Sequence, residues 1–176
     1  MPINQFETAL SGGHPNSLGN TIAVVEQVLD NKQLLTDLID CYKSDDEVVR
    51  LRVSNAMKRV AKERPDWVAE HLNALVGWIA EIDQASTKWT LSTLYQWLET
   101  FMNPEQRTAA VTIMQRNIRY DDWIVQNTTA ESLAHFARTQ PSLAKWLMPE
   151  LRALTKSRHK SVARRAEKLM SMLESL

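Results

Sequence analysis

An all-α fold built from about four helix-pair repeats behind an N-terminal arm is what this sequence predicts, and three observations carry that reading. Strand signals are nearly absent: there is no Asn-Gly or Asp-Gly hairpin turn and no alternating Val/Ile/Thr run. Apolar residues recur at helical spacing almost everywhere after Asn20. The chain also repeats itself at a period of about 38 residues, a length that suits pairs of helices. At 176 residues it is long enough for one domain with a full core.

Residues 1–20 form the arm, ending in a glycine-rich stretch, "SGGHPNSLGN" (Ser11 to Asn20), and residues 21–176 form the repeat domain. A phosphate cradle needs a buried strand before the glycines and a helix N-terminus after them. Phe6 to Leu10 is too short and mixed for such a strand, and no Lys-Ser or Lys-Thr pair follows. The stretch therefore reads as a capping loop, with Asn16 or Ser17 as N-cap of a helix through Leu29. Its glycines let the arm fold over the first repeat.

Further helices begin near Asp46, Thr87, Asp122 and His159, and prolines open the others: Pro65 precedes Asp66 to Ala80, Pro104 opens Glu105 to Ile118, and Pro141 opens Ser142 to Thr155. The repeat shows when Ser44 to Val68 is laid over Tyr120 to Ala144 without a gap. Asp45-Asp46 then falls on Asp121-Asp122, Val49 on Val125, Met57 on Leu133, Val60 on Phe136, Ala61 on Ala137 and Pro65 on Pro141. Between these copies, Leu91, Leu94, Tyr95 and Leu98 keep the apolar frame. After them, Ala166, Leu169, Met170 and Leu173 do the same.

An acidic turn followed by Val49-Arg50 and then by small and apolar residues at Val53, Ala56, Met57 and Val60 resembles the HEAT repeat of the armadillo-like family, over roughly Gln33 to Leu173. The stretch before the repeats is similar to a segment of small bacterial HEAT-like proteins. The resemblance implies an α-α superhelix whose second, B helices line a concave binding surface. Arg50 is replaced by Lys88 or Thr87 and then by Gln126 in the later copies, which breaks any continuous Asp-Arg ladder.

On each B helix the face opposite the apolar stripe supplies candidate partner-binding residues: Leu51 and Asn55, Trp89 and Thr93, Asn127 and Glu131, Arg164 and Lys168. Trp89 stands out because it lies far from the stripe of Leu91, Leu94 and Leu98, and a large exposed aromatic can anchor a partner. The same ring also suits packing against the Asp83 to Ser86 turn or a neighbouring A helix, and both readings stay open. The other five tryptophans, at 67, 78, 97, 123 and 146, read as core or inter-repeat residues.

No catalytic constellation is predicted. The Asp45-Asp46 and Asp121-Asp122 pairs recur just before B helices, where carboxylates cap free N–H groups and face the positive end of the helix dipole. His14, His71, His135 and His159 form no metal-ligand spacing, no nucleophile-elbow motif is present, and no cofactor is implied. With 21 basic and 21 acidic residues the net charge is zero, which argues against a polycation made for nucleic acid or membrane. Locally, Arg158, Lys160, Arg164, Arg165 and Lys168 form a basic cluster that suits either phosphate contacts or the solvated cap of a terminal repeat.

A lone cysteine, Cys41, suits a reducing compartment. No signal-like opening or long apolar run occurs, so the sequence predicts a cytoplasmic protein without a membrane partner. The function implied is a non-catalytic scaffold or adaptor for a protein or peptide. The alternatives are a HEAT-like DNA-binding or alkylated-base glycosylase protein, with Trp89, Arg164, Arg165, Lys168 and Glu131 as its residues, and a helper in cofactor attachment or enzyme maturation.

Overall fold

The computed structural model describes all 176 residues, and they form helices and no strands. In chain order the α-helices are α1 (Gln5–Leu10), α2 (Thr21–Asp30), α3 (Leu34–Asp40), α4 (Glu47–Glu63), α5 (Pro65–Ala69), α6 (Leu72–Leu75), α7 (Ala85–Trp97), α8 (Pro104–Asn117), α9 (Trp123–Ala137), α10 (Pro141–Leu154) and α11 (Lys160–Glu174). Local chemistry explains most starts. Asp46 accepts hydrogen bonds from the Val48 N–H, and Asp122 from the N–H groups of Ile124 and Val125, so one Asp of each pair caps a helix. Asn103 and Gln106 close a reciprocal capping box ahead of α8, which has Pro104 at its first position.

Helices α2, α4, α7, α9 and α11 pack one on the next, and α8 and α10 pack against the same row. The repeat stripes are what they bury: Val49, Val53, Ala56, Met57 and Val60 on α4, Leu91, Leu94 and Tyr95 on α7, and Leu133, Phe136 and Ala137 on α9 are at most 3% exposed. A single hydrophobic cluster of 41 buried residues runs from Phe6 to Leu173, so the arm's α1 shares the core of the rest. Side-chain hydrogen bonds join residues one repeat apart. Arg50 to Gln84, Ser92 to Thr129, Gln96 to Ser132, Glu99 to His135, and Asn127 to Ser161 are separated by 34 to 37 positions, and the Glu131–Arg165 pair by 34. Each bond fixes the register of one row helix against its neighbour or the turn beside it.

Two expectations need correction. The run from Asp66 to Ala80 is not one helix but α5, α6 and a 3₁₀ turn at Trp78–Glu81. Gly77 explains part of the break: its backbone adopts ψ −119°, and a Cβ there would sit 2.6 Å from the Asn73 carbonyl oxygen. The helix after the glycine-rich loop starts at Thr21 rather than Asn16 or Ser17. Ser17 accepts the Gly19 N–H within the loop, and the Thr21 hydroxyl donates to the Leu18 carbonyl.

Cys41 lies in the 3₁₀ turn after α3, fully buried, and its Sγ donates to Asn4 Oδ1 at 3.2 Å. Burial, ahead of weaker carboxylate effects, pushes its pKa from 9.0 up to about 11. Because the folded value is raised, the neutral thiol supports the fold fully below pH 9.0, and that support is lost as pH rises toward 11. Iodoacetamide at pH 8 is therefore expected to label the native thiol at least ~100-fold more slowly than the urea-unfolded chain, since only rare opening exposes a thiolate. Equal rates by intact-mass kinetics would contradict this burial.

Candidate functional site

A cleft of about 780 Å³ opens between α2, α4 and α7. Each helix turns one stripe toward it at the three-and-four spacing that aligns side chains on a helical face. From α2 come Ile22, Val25 and Leu29, an apolar wall interrupted by Glu26; from α4 come Asn55, Lys58, Arg59 and Lys62; from α7 come Thr93 and Trp97. Glu63 and Arg64 close one end. Ile22 keeps 40% and Trp97 37% of its surface in solvent, although both are large and apolar. Neither helix face has a partner on that side within the chain.

The charges are unbalanced. Arg64 forms a two-pronged pair with Asp66, at 3.0 and 2.6 Å, but none of Lys58, Arg59 and Lys62 has a carboxylate within 4.0 Å. Arg59 donates instead to Asn55 Oδ1 at 2.7 Å, and the Lys62 ammonium lies 5.7 Å from the centroid of the Trp97 ring. Partial burial, followed by the like charges of Lys62 and Arg59, holds Lys58 below the ordinary lysine pKa. A bound anion would relieve that mutual repulsion.

Of the residues the sequence nominated, Asn55 and Thr93 line this cleft, and the other six lie elsewhere on the row. Leu51 and Trp89 are half-buried on α4 and α7. Asn127 donates to Ser161 at 3.3 Å, Glu131 is paired with Arg165, and Arg164 and Lys168 are exposed on α11. The basic C-terminal cluster is thus partly neutralised, because Arg158 also stands 3.8 Å from Asp121. The structure overturns the packed reading for three tryptophans: Trp78, Trp97 and Trp123 are 40%, 37% and 46% exposed, whereas Trp67 and Trp146 pack on the core. Lys43 lies over the Trp78 ring at 5.3 Å.

Sequence reasoning missed the α2 wall and the aromatic end of the cleft. The signals were present: Ile22, Val25, Glu26 and Leu29 share a helical face, and "KRVAKER" (Lys58 to Arg64) holds four cations in one short run. The repeat resemblance begins near Gln33, so the faces of α2 were not compared with those of the row.

A second polar cluster lies where α8 meets α9. Glu99 accepts from Arg107 and sits 2.6 Å from His135 Nε2, while the Arg107 guanidinium covers the Phe136 ring at 4.7 Å. Burial, then the positive charges of Arg138 and Arg107, keeps the His135 pKa below its ordinary value. Glu99 is engaged by both Arg107 and His135, so the cluster reads as a fastening between α8, α9 and the turn that carries Glu99. No three His, Cys, Asp or Glu side chains gather in a way that could hold a metal ion. No helix is long and apolar enough to cross a membrane.

Comparison with known proteins bears on the fold. No family model matches the chain, and no curated protein matches its sequence. Among solved structures, it is similar to the crystal structure of an engineered protein from the Northeast Structural Genomics Consortium, with a TM-score of 0.64 and 18% identity over 97% of this chain and 80% of that one. At that identity the likeness concerns the path of the helices and not what they bind.

Proposed function

We propose that this protein is a HEAT-like α-solenoid adaptor without catalytic activity, which binds a protein or peptide partner on the face formed by α2, α4, α7, α9 and α11. The observation that carries the reading is the α2–α4–α7 cleft, where exposed apolar side chains and unpaired cations stand together on one face of the row. Helix-pair arrays whose units contact mainly their neighbours present such extended faces to partners. Asn55 and Thr93 contribute to the cleft, and Leu51, Trp89, Asn127, Glu131, Arg164 and Lys168 would extend the contact along the row. DNA binding is the second reading, since three cations at the cleft lack counter-ions, while Glu131, the acid which the glycosylase form of that reading needs, is held by Arg165.

Amide-resonance mapping of ¹⁵N-labelled protein tests the choice, using acidic, basic and uncharged amphipathic peptides beside duplex and single-stranded DNA. Shifts confined to the row with any of the peptides support the adaptor. DNA binding that weakens steeply with salt, in the absence of peptide binding, supports the alternative, and silence with every probe overturns both.

A further inference from the structure

We infer that the α2–α4–α7 cleft is shaped for one short acidic helix with apolar anchors, about two turns of which are seated; this rests on the adaptor reading above and names the class of its partner. The argument begins with size. A helix about 10 Å across that rises about 5.4 Å per turn sweeps roughly 420 Å³ per turn, so a cleft of about 780 Å³ takes just under two turns. An occupant of that length presents apolar residues at i and at i+3 or i+4 to the α2 wall, where Ile22 is 40% exposed and Leu29 lies about two turns further along the same face.

Charge then fixes the occupant's flank. The wall facing α2 carries Lys58, Arg59 and Lys62, none of them paired with a carboxylate, and they already disfavour one another at Lys58. Carboxylates on one edge of the bound helix would meet these cations in a partly desolvated setting, where a charge-assisted hydrogen bond is stronger than in open water. Trp97 gives the apolar edge a rigid anchor at the cleft's end, with Lys62 already held above its ring.

The same geometry disfavours a nucleic acid strand here. A phosphate backbone gains nothing from the apolar α2 wall of Ile22 and Leu29, whereas a helix can turn its apolar edge to that wall and keep its carboxylates on the α4 side, away from Glu26. One face of the Trp97 ring lies under the Lys62 ammonium rather than being free to stack a base. An acidic amphipathic helix uses both walls.

The test is fluorescence anisotropy with a labelled 18-residue helical peptide that carries Leu at i, i+3 and i+7 and Glu along one flank only, together with a twin in which Lys replaces every Glu. Wild-type protein is expected to bind the acidic peptide, less tightly as salt rises, and to leave the basic twin at least about tenfold weaker. Lys58→Glu with Lys62→Glu should reverse that order. Lys58→Gln with Lys62→Gln should lower acidic-peptide affinity while leaving the helical circular dichroism and its melting in place, which guards against misfolding as the cause of a loss.

Equal or tighter binding of the basic twin to the wild type, with shifted amides still lining the cleft, overturns this inference and leaves the adaptor reading intact. Failure of both peptides and of the uncharged control to shift any amide overturns the two together. Duplex DNA that displaces the acidic peptide, and loses its own affinity in the Glu variant, assigns the cleft to nucleic acid and overturns both.

Discussion

Replacing Phe136 by Ala is expected to destabilise the protein by about 3–5 kcal/mol. Phe136 is 0% exposed, and it lies on α9, which packs against α7, α8, α10 and α11. The deletion removes the ring's own transfer free energy and leaves a hole that five helices cannot collapse around independently. It also strips the Arg107 guanidinium of the aromatic face 4.7 Å away, and the His135 ring of its edge-on neighbour at 6.0 Å. Both of those side chains hold Glu99, so the fastening beside α8 loosens along with the core. With a urea slope of about 2 kcal/mol per molar, the midpoint should fall by roughly 1.5–2.5 M. Trp123→Ala on the same helix supplies the comparison: the residue is 46% exposed, and with no buried cavity left behind its loss should be about 1–1.5 kcal/mol. Similar midpoints for the two variants would mean that α9 is not the packed centre described here.

Phe136 also shows what was legible in the sequence. Its place on the stripe followed from its alignment with Val60, and all of the aligned positions Val49, Met57, Val60, Val125, Leu133 and Phe136 proved buried. Periodicity reads a helix's own inward face well, because burying that face is what makes the helix stable. It reads the remaining faces poorly. Trp97 borders the apolar arc of α7, and whether it is covered depends on what stands opposite; α2 and α4 leave a cleft there instead of closing over the ring. The same limit hid the division of residues 66–80, where α5 already ends at Ala69 and the unusual backbone of Gly77 separates α6 from the 3₁₀ turn that follows. For the site, Asn55 and Thr93 were found from their position opposite the stripe. The cleft's charge was not, because Lys58, Arg59 and Lys62 look like any solvated basic run until the absence of nearby carboxylates is seen in space.

The second large effect concerns Arg52, which no pattern in the sequence singled out. It is 2% exposed on α4, and no carboxylate lies near it. Its guanidinium donates instead to backbone carbonyls of the glycine-rich stretch: Nη1 to Leu10 and Gly12, each at 2.6 Å, Nη2 to His14 at 3.3 Å, and Nε to Ser17 at 3.2 Å. Gly12, Gly13 and Gly19 hold positive φ values of 74°, 74° and 52°, which let the chain curl its carbonyls inward, and a Cβ at Gly19 would fall 2.9 Å from Arg52 Cζ. Those glycines therefore build a cage of the wrong polarity for phosphate, since carbonyl oxygens converge where a phosphate site needs N–H groups.

Arg52→Met keeps most of the stem's packing but removes every donor, and a loss of about 2–4 kcal/mol is expected, nearer the upper end if water cannot reach the Leu10 carbonyl. Arg52→Lys should recover less than half of it, because a single ammonium cannot span carbonyls that the planar fork reaches together. The damage should be local first: amide exchange and proteolysis should rise in residues 11–20 and along α2 before the row from α4 to α11 is affected. Because α2 supplies one wall of the cleft, the same variant should weaken any ligand seated there even under conditions where the rest stays folded. A loss below about 1 kcal/mol with unchanged exchange in α2 would show that apolar packing of Val24, Val25 and Val28 holds that wall unaided.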